Sequence, residues 1–100
     1  MSSLDAGDPL IEELREQLSD NDVRIVEAIN ARLKLVARLK RVKEERGIEF
    51  LDPAREEWML QYLARANRGP LSVEGLREIY LELLDLTKRE IAREDGSESS

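Results

Sequence analysis

The 100-residue chain contains no cysteine and no histidine. Disulfides, thiolate nucleophiles, Cys/His metal centres and imidazole acid–base catalysis are thereby excluded together, and neither a metal nor a cofactor is expected. Aromatics are scarce, at one Trp, two Tyr and one Phe. No apolar run is long enough to span a membrane, and no signal-peptide core follows Met1, so a cytoplasmic location with no membrane partner is expected. The few Gly and Pro residues gather mainly at three joints. An enzyme built from this alphabet works with Asp, Glu, Lys and Arg, or carries out a reaction in which no proton has to move.

What the chain does have is charge and helix formers. Charged residues make up 38% and hydrophobic residues 41%, with a formal net charge of -6. Richness in Leu, Glu, Arg and Ala suits long amphipathic helices. Asp8-Pro9 reads as an N-cap followed by Pro at the first helical position. From there Ile11, Leu14, Leu18, Asp22, Ile25, Ile29, Arg32, Val36, Leu39 and Lys43 recur at steps of three and four, a helical stripe that Gly47 terminates. Ser19 to Asp22 offers an alternative start, but the continuous stripe favours one helix.

A second helix is predicted from Asp52-Pro53, with a stripe of Glu56, Met59, Leu63 and Ala66, ending at "NRGP". Ser72 caps a third, with Leu76, Tyr80, Leu83, Thr87 and Glu90 on its stripe. The expected organisation is a flexible N-terminus at 1–8, a helical domain at 9–93 and a disordered polar tail at 94–100. The first helix, at about 38 residues and about 1.5 Å per residue, would be roughly 57 Å long. A compact chain of this size has a radius of gyration of about 13 Å, so two shorter helices cannot cover such a rod. The expected fold is all-α, with three helices per chain, a very long first helix and an intertwined homodimer.

Residues 32–47, "RLKLVARLKRVKEERG", carry seven Lys or Arg against two Glu. Lys34, Arg38, Lys40, Arg41 and Arg46 fall mostly off the stripe and read as a solvated face. Arg32 and Lys43 stand where the period calls for Leu or Val, and Arg15 lies on or beside the same stripe. An unpaired buried cation is costly, so each of these implies an anion, in an internal salt bridge or on a ligand, unless its long stem reaches water. Arg55 sits in a first helical turn, where the helix dipole disfavours cations, and either pairs with Asp52 or Glu56 or faces a ligand. Arg15, Arg32, Lys43 and Arg55, with Glu56, could line a polar pocket for a small dicarboxylate, which Arg grips as a bidentate fork.

The order "LREQLSDND", "INARLKLVARLKRVKEERG", "LDPAREE" and "NRGPLS" resembles the all-helical, AroQ-type chorismate mutases over roughly residues 10–92. The signature is an Arg, an Arg 17 residues on, a Lys 11 residues further, then Asp-Pro-x-Arg-Glu. The resemblance implies an isomerase that rearranges chorismate to prephenate, a pericyclic step with no proton transfer, in an intertwined dimer. It assigns Arg32 and Arg55 to the substrate carboxylates and Arg15 to the other subunit's site. Lys43 would donate to the ether oxygen, and Glu56 would accept from the ring hydroxyl with Asp52 nearby. The family's third-helix pair, a small polar residue and a Gln four residues on, falls on Thr87 and Ile91. Ile91 cannot donate, and Glu90 would replace the Gln only when protonated.

Three other readings remain open at this level. Related helical proteins act on isochorismate as pyruvate-lyases or rearrange 4-amino-4-deoxychorismate, and all bind similar dianions. A non-catalytic helical dimer is another reading. Nucleic-acid binding through the cationic segment is disfavoured by the acidic balance and the lack of interleaved aromatics.

Overall fold

Three helices, α1 (Pro9–Glu45), α2 (Pro53–Ala66) and α3 (Val73–Ser99), make up the architecture. The structure is a computed structural model that describes residues 7–99, with side chains described as far as Glu94. Most of the segment expected to be flexible at 1–8, namely 1–6, lies outside the described residues, as does Ser100. The chain divides between Lys34 and Leu35 into two units.

The boundaries follow from local chemistry. Asp8 Oδ1 accepts from the Leu10 and Ile11 amides at 2.9 and 3.4 Å, while Pro9 has no amide to satisfy. The alternative start at 19–22 is not used, and α1 is one helix of 37 residues. It ends on Gly47, whose φ of 66° suits only a residue without Cβ strain. The Ile48 amide reaches back to the Lys43 carbonyl at 2.8 Å and the Gly47 amide to Glu44 at 3.2 Å, the paired bonds of a Schellman stop.

Asp52 Oδ1 caps α2 by accepting from the Arg55 amide at 3.1 Å, with Pro53 at the first helical position. The turn after α2 is clamped by Asn67, whose Oδ1 accepts from the Gly69 amide at 2.9 Å and whose Nδ2 donates to the Leu71 carbonyl at 2.8 Å. Ser72 Oγ then accepts from the Gly75 amide at 3.0 Å and starts α3 as expected.

Within the second unit α2 packs against α3. The buried residues, among those described, are Leu60 of α2 and Tyr80, Thr87 and Ile91 of α3. Two details differ from the expected stripes. The deepest position of α2 is Leu60, one residue past Met59, and Ala66 at the helix end is exposed. On α3, Ile91 is buried and the adjacent Glu90 only half-buried, because a carboxylate carries a desolvation penalty that Ile does not. The backbone of α3 is helical through 94–99.

No residue of α1 is buried. Leu14, Leu18, Ile25 and Leu39, all on its stripe, are 48–62% exposed. No helix among the described residues is long and apolar enough to cross a membrane.

Candidate functional site

Arg15 and Arg32 are both half-buried residues of α1 in the first unit. Arg15 Nη1 approaches Glu12 Oε1 at 3.8 Å, an i,i+3 pair at the helix surface. Seventeen residues of helix separate the two arginines by about 26 Å along the axis. The carboxylates of one small molecule lie far closer together than that. The two guanidinium groups of one chain therefore cannot grip the same ligand.

In the second unit, the α1 terminus, the loop and the start of α2 hold four of the expected site residues. Lys43 is half-buried, and its Nζ donates to the Phe50 carbonyl at 3.2 Å, which ties the last turn of α1 to the loop. Asp52 has a structural task, the α2 cap. Arg55 follows it in the first turn, where unpaired amides and the helix dipole already favour a nearby anion. Its guanidinium lies 4.2 Å from the centre of the Trp58 ring, and Trp58 stacks on Tyr62 with centroids 5.3 Å apart. Glu56 turns towards α3, where Lys88 Nζ is 3.8 Å from its Oε1.

The α3 candidates are placed unequally. Thr87 is 5% exposed, and its hydroxyl donates to the Leu83 carbonyl at 2.7 Å, the back-bond expected of Thr inside a helix. Ile91, at the position where the resembled family carries its Gln, is buried. Glu90 is half-buried, and Arg93 Nη1 donates to its Oε1.

The structure thus brings Asp52 to Arg55 through the helix cap. It adds three residues that sequence reasoning missed: Trp58, Tyr62 and Lys88. An Arg, a Trp three residues on and a Tyr four further was a legible signal, because such positions share a helix face. Lys88 had no such signal, since its pairing with Glu56 arises only when α2 and α3 pack. Among the described residues no cluster of acidic groups could hold a metal ion. What these residues can do chemically is bind anions through guanidinium forks, present an ammonium donor and offer one carboxylate acceptor.

Residues 14–91 match the family described as chorismate mutase type II. Among curated proteins, the chain is 29% identical over 76 residues to the bifunctional chorismate mutase/prephenate dehydratase of Stutzerimonas stutzeri, covering 71% of this chain and 21% of that protein. The same figures hold for the protein of that description from Pseudomonas aeruginosa. The chain therefore spans about a fifth of the length of the curated relatives it matches. Among solved structures it is similar to chorismate mutase from Thermus thermophilus. Form I gives a TM-score of 0.75 at 32% identity, covering 77% of this chain and 96% of that one. Form II gives 0.77 at 31% identity, covering 83% and 94%.

Proposed function

This chain belongs to the chorismate mutase type II family, and we propose that it rearranges chorismate to prephenate in a cationic pocket built by two copies of the chain. One observation carries the reading. The family match over residues 14–91 contains the whole set of out-of-place cations, Arg15, Arg32, Lys43 and Arg55, together with Glu56.

The rearrangement breaks an ether C–O bond while a C–C bond forms, so the electrons move in a ring and no proton is transferred. A chain without His or Cys is equipped for such a step. Arg32 and Arg55 hold the two carboxylates and select the compact conformer in which the reacting carbons meet, converting binding energy into orientation. Lys43 donates to the ether oxygen, where negative charge grows as the C–O bond lengthens. Glu56 accepts from the ring hydroxyl, with Asp52 beside it holding the start of α2. Thr87 contributes to the substrate-binding wall of α3. Glu90 supplies a second donor to the ether oxygen in its protonated form, which requires it to give up Arg93.

The homodimer has support of its own. The leucines of the α1 stripe stay about half exposed or more in one chain, and apolar surface contributes about 25 cal/mol per Å² when covered. A second copy supplies the matching face. The roughly 26 Å between Arg15 and Arg32 then becomes useful, because Arg15 reaches the partner copy's site while Arg32 serves its own. On this reading the work is done in the cytoplasm, with the substrate as the one small-molecule partner.

The test is loss of chorismate absorbance on adding purified protein, with the product identified. Prephenate formation supports the proposal. Turnover of isochorismate or 4-amino-4-deoxychorismate alone would redirect it to a related activity, and no turnover of any of the three would leave a non-catalytic helical dimer.

A further inference from the structure

The exposed side of α2 carries an arrangement that the proposed reaction does not account for. Arg55, Trp58 and Tyr62 follow one another at spacings of three and four and so line one helix face. Half of the chain's four aromatics are placed there, although Trp58 and Tyr62 are 45% and 51% exposed. The opposite side of the helix carries Leu60 and faces α3. Core packing within one chain therefore does not explain the aromatic pair.

The geometry points to Trp58 as a positioning residue for Arg55, with Tyr62 as its support. This inference rests on the reading that Arg55 binds a substrate carboxylate. The guanidinium carbon lies 4.2 Å from the indole centroid, within the range of a cation–π contact. A guanidinium held by its face keeps its in-plane N–H donors available at the edge, which is the side a carboxylate uses. Tyr62 stacks on the same indole with an interplanar angle of only 13°. The indole is thereby held in one orientation, and Arg55 with it.

An arginine in an exposed first turn otherwise samples many rotamers, and immobilising it on binding weakens affinity. Arranging it beforehand removes that penalty. Because the stack exists before and after the bond-breaking step, it acts on ground state and transition state alike. Its effect falls on KM and leaves kcat nearly unchanged.

The experiment measures kcat and KM for chorismate in the wild type, Trp58→Phe, Trp58→Leu, Arg55→Ala and the Arg55→Ala/Trp58→Leu double variant. Sedimentation and thermal melts accompany the kinetics. Trp58→Leu is expected to raise KM about two- to fivefold, the range of an exposed cation–π contact, with kcat, melting temperature and association state unchanged. Trp58→Phe retains an aromatic face and is expected to restore most of the loss. Once Arg55 is Ala, Trp58→Leu is expected to add nothing. Unchanged KM in Trp58→Leu, an equal effect with Arg55 absent, or a loss explained by weaker association would each overturn the inference while leaving the mutase reading standing. Absence of chorismate turnover in the wild type would overturn that reading, and this one with it.

Discussion

The Lys43 ammonium donates to the Phe50 carbonyl at 3.2 Å, so the residue proposed to serve the ether oxygen is anchored to the loop that leads into α2. The loop starts from the Schellman stop at Gly47 and ends at the Asp52 cap, so both its ends are fixed by hydrogen bonds, backbone to backbone at Gly47 and amide to side chain at Asp52. Lys43 is thereby held in place before any substrate arrives, which is what a donor aimed at developing charge requires. Lys43→Ala is expected to lower kcat about 10²- to 10³-fold. The lost hydrogen bond is part-buried, so stability should fall by only about 1 kcal/mol. Saturating-chorismate rates and a denaturant melt measure the two effects separately.

Asp52 is both the α2 cap and a neighbour of the proposed ring-hydroxyl acceptor. Asp52→Ala is expected to reduce stability by about 1 kcal/mol, the usual worth of such a cap. Asp52→Asn keeps an accepting oxygen at the same place and should melt close to the wild type. A substrate contact at Asp52 would show as a loss of kcat/KM in Asp52→Asn with the melt preserved.

The Glu56–Lys88 pair joins α2 to α3 but remains 34% and 47% exposed on its two side chains. Pairs of this kind contribute about 0–1 kcal/mol, so Lys88→Ala should leave the melting temperature nearly where it is. Glu56→Ala is expected to have the same small effect on stability and a much larger one on kcat/KM. Equal losses of activity in the two variants would mean that Lys88 is needed to aim Glu56, and would be seen in steady-state rates.

Glu90 is tested by an amide in its place. An ionised carboxylate only accepts, whereas the Gln side chain also donates. If a donor at this position serves the ether oxygen, Glu90→Gln is expected to raise kcat for chorismate. An unchanged kcat in Glu90→Gln would remove Glu90 from the reaction.

What was legible in the sequence was what local chemistry decides. Asp8-Pro9, Asp52-Pro53, Ser72 and Gly47 set helix starts and a stop through hydrogen bonds spanning a few residues, and each acts as read. Arg15, Arg32 and Lys43 stood out because a stripe of Leu, Ile and Val makes a cation conspicuous. The third helix was harder to read because Glu90 and Ile91 are adjacent, and only tertiary packing decides which is buried. Lys88 and the Trp58 stack went unread for related reasons. The first is a contact between helices, and the second lies on a face that a search for buried stripes passes over.

The measurement that tests the central claim most directly is complementation between two variants. Arg15→Ala and Lys43→Ala, each expected to be nearly inactive, are mixed under conditions that allow subunit exchange, and chorismate turnover is followed. If Arg15 serves the partner copy's site, each mixed dimer contains one site with both defects and one site intact. Random pairing then restores roughly a quarter of wild-type activity. A mixture as inactive as its parents would contradict a pocket shared in this way.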